Sequence, residues 1–214
     1  MIAVIMCGGK GSRFITQENI EKPLARVGGK TLIENVLHAV ILSGQFSRIL
    51  CVSSPCSPHT TRLLERNYRT DNKIEVMVAD GLGFSKDLSK ALNSMPKQKV
   101  FAFPSDLPLL DSDTVRKLIS RCTPSIQNTC IAAVADRSFV SSVGTTCSSL
   151  FTLDNKEYCY TGVCGFYLGT PISDKPFEEF YSIVNEIQLI VNINTTRDLG
   201  VAEQLLRRLN PDCL

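Results

Sequence analysis

The chain has 214 residues, of which 43% are hydrophobic and 21% charged, and its formal net charge is +2. This length suits one large α/β domain that buries its own core, and the near-neutral charge lacks the basic excess typical of nucleic-acid binders. Because no run approaches the roughly 18 apolar residues of a membrane span, and the apolar start at residues 1–6 is too short for a secretion signal, we expect a cytoplasmic protein that binds neither nucleic acid nor a membrane.

The first half of the chain alternates short apolar runs with segments of helical spacing. The short runs predict buried strands, and the segments in which apolar residues recur every three or four positions predict helices. Gly44 follows the first helical segment where a C-cap glycine belongs, and Asp111 or Ser112 can cap the fourth. In chain order the predicted elements are strand 2–6, helix 31–42, strand 48–53, helix 58–68, strand 74–78, helix 84–93, strand 100–103 and helix 111–121.

The second half is less regular. Four consecutive strand–helix units predict a Rossmann-like α/β domain, with a mixed, mostly parallel sheet and helices on both faces. We expect one domain over residues 1–214, because no repeat or linker divides the chain, and we expect ligands at the carboxyl ends of the strands. The remaining predicted elements are strand-like runs at 130–135, 162–168 and 189–193, a loop at 138–149 and a closing helix at 195–209.

The cysteines number nine, and no pair has CxxC or zinc-ribbon spacing. Cys7, Cys51 and Cys164 lie in or beside apolar runs, where a reduced thiol behaves as a small hydrophobic group. We therefore expect nine free thiols in a reducing cytosol. A metal or Fe–S site is the alternative interpretation.

The strongest functional motif follows the first predicted strand, at residues 7–13 (CGGKGSR). Glycines at this position let the backbone approach an anionic ligand and direct amide N–H groups at phosphates. Arg13 adds a planar fork for phosphate oxygens, and Lys22 adds a point charge. The motif is neither a Walker A loop nor a dinucleotide fingerprint, because Phe14 occupies the third glycine position of the latter. A glycine-rich turn with incidental charges is the structural alternative.

Two further motifs lie where predicted strands end. Asp106, within residues 103–108 (FPSDLP), follows the fourth strand, and a single carboxylate at such a position can hold Mg²⁺. Asn194, within residues 192–199 (NINTTRDL), precedes the last helix, and its amide oxygen is a candidate second metal ligand. The structural alternatives are a proline-flanked turn at Asp106 and a helix cap at Asn194 or Thr195.

The three motifs, in this order, resemble the nucleotidyltransferase superfamily with the GGxGxR…KPL signature, which includes the molybdenum-cofactor guanylyltransferases and the sugar-1-phosphate nucleotidyltransferases. The resemblance covers nearly the whole chain. Within the superfamily the chain is most similar to the archaeal GTP:adenosylcobinamide-phosphate guanylyltransferase family. Cys7 and Phe14 depart from the usual residues of the signature, and residues 161–163 fit the acceptor-side segment only loosely. The segments that carry the closer resemblance are 21–24 (EKPL), 53–58 (SSPCSP), 81–84 (GLGF) with Asp87 and Leu88, 105–107 (SDL) and 192–195 (NINT).

The resemblance implies a fold of the nucleotide-diphospho-sugar transferase type and a Mg²⁺-dependent reaction. GTP and a corrinoid phosphate would be the substrates, and adenosylcobinamide-GDP and pyrophosphate the products; a homodimer is left open. Catalysis would rest on Arg13, Lys22 and Asp106, with Lys22 neutralising charge at the α-phosphate and Asp106, together with Asn194, holding Mg²⁺. The remaining nucleotide-binding residues would be Gly8, Gly9, Gly11 and Ser12 at the triphosphate, Gly81 and Gly83 beside the base, and Ser53.

Three other functions stay open at this point. Molybdopterin or a sugar phosphate is an alternative acceptor for the same chemistry. A non-catalytic GTP-binding regulator is disfavoured by the presence of Arg13, Lys22 and Asp106, and a dehydrogenase by the missing third glycine. Residues 138–149 and 158–165 are candidate walls of an acceptor site, or else ordinary surface loops.

Overall fold

A computed structural model of the chain describes residues 1–9, 14, 20–145, 147, 149–169 and 176–209. The strands are β1 (Ile2–Met6), β2 (Arg26–Val27), β3 (Lys30–Thr31), β4 (Arg48–Ser53), β5 (Ile74–Val78), β6 (Lys99–Pro104), β7 (Thr129–Asp136), β8 (Leu150–Leu153), β9 (Lys156–Tyr167) and β10 (Glu178–Ile183). The helices are α1 (Leu32–Ser43), α2 (Pro58–Tyr68), α3 (Phe84–Asn93), α4 (Ser112–Cys122), α5 (Arg137–Val143), α6 (Ile187–Ile190) and α7 (Thr196–Leu209), and a 3-10 turn spans Lys22–Leu24.

The described residues form an eight-stranded sheet in the order β10-β7-β9-β6-β1-β4-β5, with β8 paired to β9. Strand β9 runs antiparallel to β6, β7 and β8. The other pairs along the sheet are parallel. The molecule therefore has the mixed, mostly parallel Rossmann-like α/β fold that the sequence predicts.

Helices cover both faces of this sheet. Successive side chains of a strand point to opposite faces, and β1 divides its residues accordingly. Ile5 belongs to a buried cluster with residues of α1, α2 and α4, such as Leu37. Met6 belongs to a second cluster with residues of α3, such as Leu88. We call this second side of the sheet the α3 face.

Two helix caps of the first half, at Gly44 and Asp111, form where the sequence predicts them, and the structure adds a third at Thr31. Thr31 and Glu34 make a reciprocal capping box at the start of α1, and Gly44 ends that helix with a φ of 69°. Asp111 caps α4 by accepting a hydrogen bond from the amide of Thr114 at 2.7 Å. These caps thus depend on residues close to the helix ends in the sequence, and not on long-range contacts.

Two predictions for the second half are wrong. Residues 189–193 do not form a strand, because α6 ends at Ile190 and an irregular segment continues towards α7. Leu189 and Ile193 are fully buried, so the apolar run reflects burial, which periodicity cannot distinguish from strand formation. Residues 138–149 are not all loop, because α5 occupies their first part, buries Val140 and ends at Gly144 with a φ of 80°.

The structure also contains strands that the sequence analysis missed. Strand β9 begins at Lys156, whereas the sequence predicts a strand from residue 162, and its early part pairs with β8. Strand β10 has the sequence EEFYSI and pairs only with β7 among the described strands. A partly exposed edge strand needs few apolar side chains, so the apolar pattern by which a strand is predicted from sequence is weak. No helix in the described ranges is long and apolar enough to cross a bilayer.

The prediction of nine free thiols is wrong for one pair of cysteines. Cys147 and Cys159 form a disulfide, with their Cα atoms 5.6 Å apart. The β8–β9 hairpin brings these residues together, and a separation of 12 positions gives no sequence pattern. Within the described ranges, no three His, Cys, Asp or Glu side chains are grouped so as to hold a metal ion. Six cysteines are free, namely Cys7, Cys51, Cys56, Cys122, Cys130 and Cys164, and Cys213 lies outside the described residues.

Candidate functional site

The carboxyl ends of β1 and β6 border a cavity of about 330 Å³. These strands are parallel neighbours, with Met6 opposite Pro104, so the chain leaves both at the same edge of the sheet. The cavity brings together parts of all three sequence motifs. Its described lining residues are Met6, Cys7, Gly8, Gly9, Phe14, Lys22, Pro23, Phe84, Pro104, Ser105, Asp106 and Asn194.

The first two glycines of the motif differ in what they contact. A Cβ atom on Gly8 would lie 2.9 Å from the Cβ of Ser54, so only glycine fits there without displacement. A Cβ atom on Gly9 would have no neighbour within 4 Å. Gly8 therefore packs against the end of β4, and Gly9 borders open space. Gly11, Ser12 and Arg13 lie outside the described residues.

The position of Lys22 is fixed by the residues on either side of it. The carboxylate of Glu21 accepts hydrogen bonds from the amides of His59 and Thr60, both at 2.7 Å, and from the Thr60 hydroxyl at 2.6 Å. These amides belong to the first turn of α2, where N–H groups lack partners within the helix. On the other side Pro23 is buried. The anchored 3-10 turn holds Lys22 at the cavity.

Lys22 joins the two residues that the sequence predicts as metal ligands. Its Nζ lies 2.5 Å from Oδ2 of Asp106 and 3.3 Å from Oδ1 of Asn194. The side chains of Lys22 and Asp106 are only 20% and 16% exposed, so water screens this ion pair weakly. Two oxygen atoms thus converge on one cation, and carboxylate and amide oxygens are ligands that Mg²⁺ also accepts.

Asn192 is a residue of this site that the sequence analysis missed. Its Nδ2 donates to Oδ1 of Asp106 at 3.3 Å and to the carbonyl of Thr161 at 3.5 Å. The amide of Ile193 donates to the carbonyl of Asp106 at 3.0 Å. Asp106 is therefore held by its side chain and its backbone. The sequence sign for Asn192 was its alternation with Asn194 around the apolar Ile193, because Asn192 and Asn194 can then both face the same side of the chain.

Asp198, in the first turn of α7, binds the two residues that precede the helix. Its Oδ2 accepts hydrogen bonds from the amides of Asn194 and Thr195, at 2.9 and 2.7 Å, and from the Thr195 hydroxyl at 2.9 Å. Asp198 therefore holds the backbone of Asn194, whose side-chain Oδ1 accepts a hydrogen bond from Lys22. The helix start positions Asn194 at the cavity.

The glycines predicted to border the base lie in the loop before α3. Gly81 and Gly83 have φ values of 72° and 108°, which favour glycine. A Cβ atom on Gly81 would lie 3.6 Å from the Cβ of Ser54, the residue that packs against Gly8. Phe84 follows, lines the cavity and is 44% exposed. The loop therefore lies beside the glycine motif, with bare backbone at the cavity edge.

Ser53 is not brought to the cavity. Its side chain is fully buried, and its hydroxyl accepts a hydrogen bond from the Thr61 hydroxyl at 2.9 Å and donates to the carbonyl of Met77 at 3.4 Å. These contacts connect β4 with α2 and β5. Ser53 thus stabilises the sheet beside the site.

The cavity places one pair of opposite charges beside glycine backbone. Among its described lining residues, Lys22 is the basic one and Asp106 the acidic one. Cys7 also lines the cavity, but burial, and then its hydrogen bond with Cys51, raise the pKa of its thiol well above the usual value. The thiol therefore stays protonated and is a poor nucleophile. Among the lining residues that the structure describes, the feature of the cavity is therefore a positioned pair of charges, at Lys22 and Asp106.

The sequence of this chain is similar to those of known proteins. Residues 3–160 match the family described as the MobA-like NTP transferase domain. The adenosylcobinamide-phosphate guanylyltransferase of Methanocaldococcus jannaschii is 26% identical over 216 residues, covering 97% of this chain and 98% of that protein.

Two solved structures share the fold at low identity. A protein described as a glucose-1-phosphate thymidylyltransferase from Bacillus anthracis has a TM-score of 0.66 and 10% identity, with 97% of this chain and 96% of that chain covered. The 4-diphosphocytidyl-2C-methyl-D-erythritol synthase of Anaerococcus prevotii has a TM-score of 0.64 and 14% identity, with the same coverage of 97% and 96%. At these identities the likeness concerns the fold alone.

Proposed function

Because the chain belongs to the MobA-like NTP transferase family, we propose that it transfers GMP from GTP to adenosylcobinamide phosphate and releases pyrophosphate. The observation that carries the transferase chemistry is the convergence of Lys22, Asp106 and Asn194 beside Gly8 and Gly9. The choice of substrates is supported by the archaeal relative named above, which is similar over nearly its whole length.

The proposed reaction is an in-line displacement. A phosphate oxygen of the acceptor attacks the α-phosphorus of GTP, a new P–O bond forms, and the bond to the oxygen that bridges the α- and β-phosphates breaks. The electron pair of that bond leaves with pyrophosphate. Such a reaction needs positioning and compensation of charge, and no protein nucleophile.

The residues of the cavity match these requirements. Gly9 borders open space at the end of β1 and would leave room for the triphosphate, with Gly8 beside it in the cavity lining, and Arg13, from the sequence motif, would bind the phosphate oxygens. Lys22 would neutralise charge at the α-phosphate. In the structure its ammonium pairs with Asp106, so substrate phosphates would compete for the same cation.

Mg²⁺ is the proposed cofactor, held by Asp106 and Asn194. When bound there, it would supply positive charge to the triphosphate and the departing pyrophosphate. The fit rests on the two oxygen atoms that already face one cation, the ammonium of Lys22. Asn192 would keep the Asp106 carboxylate oriented through its hydrogen bond to Oδ1.

Guanine selection is proposed for the loop that contains Gly81 and Gly83. Guanine presents O6 as an acceptor, with N1–H and N2–H₂ as donors, and adenine reverses the pattern at position 6. Bare backbone at the cavity edge can read this difference, because groups that pair with guanine are left without partners when adenine is bound.

A pyrophosphate-release assay tests the proposal. Four NTPs are crossed with three acceptors: adenosylcobinamide phosphate, molybdopterin and a sugar 1-phosphate. We expect release with GTP and adenosylcobinamide phosphate. Release only with another acceptor would reassign the substrate within the same chemistry. Binding of GTP without release in any combination would instead identify a non-catalytic nucleotide-binding protein.

A further inference from the structure

Four aromatic side chains from three strands form one continuous group, which we call the aromatic platform: Phe151, Tyr158, Tyr160 and Tyr181. The ring centroid of Phe151 lies 4.6 Å from that of Tyr181, 4.7 Å from that of Tyr160 and 5.6 Å from that of Tyr158. These three pairs are tilted by only 31–38°. The rings therefore make a broad apolar surface around Phe151.

The aromatic platform lies on the α3 face, as does the cavity. Pro104 lines the cavity, and Ala102, two residues earlier on the same strand, points to the same face. Ala102 pairs with Cys164 of β9. Cys164 pairs in turn with Ala132 of β7, and Ala132 pairs with Tyr181 of β10. Because residues directly opposite each other share a face, this row of side chains connects the two regions.

Strand β9 leads from the platform to the catalytic residues. Tyr160 is followed by Thr161, whose carbonyl accepts a hydrogen bond from Asn192, the residue that also holds the catalytic carboxylate. The next residue, Gly162, has a φ of 83°, and a Cβ atom on it would lie 3.0 Å from Cγ of Pro104. Tyr160 of the platform is thus only one or two positions along β9 from residues that contact Asn192 and Pro104 at the cavity.

The described helices leave the platform open. All members of its cluster come from β7 to β10. Ala133 and Ala135 alternate with Ala132 and Val134, so their side chains point away from the α3 face. Helices α4 and α5 pack on that opposite side, in the clusters that contain Ala133 and Ala135. Three of the rings remain partly exposed, those of Phe151, Tyr160 and Tyr181.

The platform has a polar edge. The hydroxyl of Tyr181 donates to Oε2 of Glu179 at 3.0 Å, and the hydroxyl of Tyr160 lies 3.3 Å from that of Tyr181. Burial, followed by the Tyr181 hydroxyl and the charge of Glu179, raises the pKa of Tyr160, so its hydroxyl stays protonated. The edge offers one carboxylate acceptor beside a wide apolar surface, which suits a broad ring system with peripheral N–H donors.

We propose that the aromatic platform binds the ring system of a corrinoid acceptor and thereby directs its phosphate into the cavity. The inference rests on the proposed function, since it names the site for that acceptor. A sugar would cover a single ring, whereas a macrocycle with amide side chains can cover several rings and donate hydrogen bonds to Glu179. Aromatic rings combine large apolar area with little conformational freedom, which suits them to such a site.

The test is calorimetric titration with cobinamide, the corrinoid without its phosphate. Tyr181→Ala and Phe151→Ala should each weaken cobinamide binding by about tenfold, as expected for loss of a stacked ring. Tyr181→Phe should keep most of the affinity, because it retains the ring. Tyr181→Thr, which suits an edge strand better than Ala, repeats the test if Tyr181→Ala unfolds.

Phe180→Ala is the matched control. Phe180 lies on the same strand, is 45% exposed and is opposite Ile131, on the other face of the sheet. Its removal should leave cobinamide binding unchanged, and all of these variants should bind GTP as the unchanged protein does.

The outcomes separate this inference from the proposed function. Failure of the unchanged protein to bind cobinamide, or equal binding by Tyr181→Ala and the unchanged protein, would overturn the platform's role. Turnover of adenosylcobinamide phosphate with an unaltered KM in Phe151→Ala would do the same and leave the function standing. Ring-dependent cobinamide binding without any pyrophosphate release would support the platform and reject the reaction.

Discussion

The ammonium group of Lys22 lies 2.5 Å from a carboxylate oxygen of Asp106, although 84 positions separate the two residues in the chain. Asp106 reaches this point because β6 ends beside β1 in parallel register. Lys22 reaches it because Glu21, its neighbour, binds the first turn of α2. The contact therefore depends on both the sheet order and a helix terminus.

Asp106→Asn should abolish most turnover and leave the fold intact. The substitution keeps the shape of the side chain and removes the charge that would hold Mg²⁺, and such losses cost several kcal/mol, or orders of magnitude in rate. Pyrophosphate release measures the effect, and thermal unfolding checks the fold. Asp113→Asn is the control, because Asp113 is an exposed residue of α4. Near-normal turnover by Asp106→Asn would contradict the metal-binding role.

Lys22→Ala should impair the use of GTP far more than folding. A charge-assisted contact contributes about 1.5–3 kcal/mol, so we expect kcat/KM to fall by at least one order of magnitude. Lys30→Ala, at an exposed position of β3, is the control. Arg13→Ala should behave like Lys22→Ala if the sequence motif binds the triphosphate. Lower thermal stability with unaltered kinetics would make both residues structural.

Asp106 and Asn194 could be predicted as site residues because each follows or precedes a predicted element, and Lys22 because it belongs to a recognisable motif. Asn192 was harder to predict: its alternation with Asn194 around Ile193 was a sign, but its contact with Asp106 depends on the irregular segment between α6 and α7, where Ile193 is buried. The burial of Ser53 could not be predicted either, because its hydrogen bond with Thr61 depends on the packing of α2 against the sheet.

The difference between local and long-range contacts also explains which parts of the fold the sequence predicts. Elements of the first half are local βα units with caps such as Gly44, so sequence pattern and structure agree. The second half depends on strand pairing. Strand β9 is bordered by β6, β7 and β8, and its register with β7 shifts between Ala132 and Val134. Such long-range pairings have no periodic signature.

Asn192→Ala should raise the Mg²⁺ concentration needed for half-maximal activity. The amide group donates to Oδ1 of Asp106, so its loss frees the carboxylate to rotate, and loss of a residue that orients a ligand typically weakens metal binding by about 10- to 100-fold. The measurement is a Mg²⁺ titration of pyrophosphate release. Asn185→Ala is the matched control, because Asn185 donates to the Asp136 carboxylate at 2.6 Å on the surface. Equal Mg²⁺ dependence in both variants would reject a positioning role for Asn192.

Thiol titration of denatured protein prepared without reductant should find seven free thiols. The chain has nine cysteines, of which the Cys147–Cys159 disulfide uses two and six are free in the described ranges, and we expect Cys213, which lies outside those ranges, to be free as well. Reduction should restore nine and lower the midpoint of thermal unfolding, since a cross-link over a loop of this size contributes about 3 kcal/mol. Cys56→Ser, at an exposed free thiol, should lower both counts by one. A count of nine before reduction would show that the pair is not oxidised.

Gly8→Ala and Gly9→Ala should have different effects on stability. The new Cβ at position 8 would lie 2.9 Å from the Cβ of Ser54 and 3.1 Å from backbone atoms of residues 53 and 54. Because β4 cannot yield without disturbing the sheet, we expect Gly8→Ala to destabilise the fold by about 1–3 kcal/mol.

The Cβ at position 9 would meet no atom within 4 Å, so Gly9→Ala should leave the thermal midpoint unchanged. If the amide of Gly9 approaches a phosphate, as the motif predicts, Gly9→Ala should still weaken GTP binding, which calorimetric titration measures. An unchanged GTP affinity would assign Gly9 to the turn alone, and unchanged stability of Gly8→Ala would show that β4 accommodates the added methyl group.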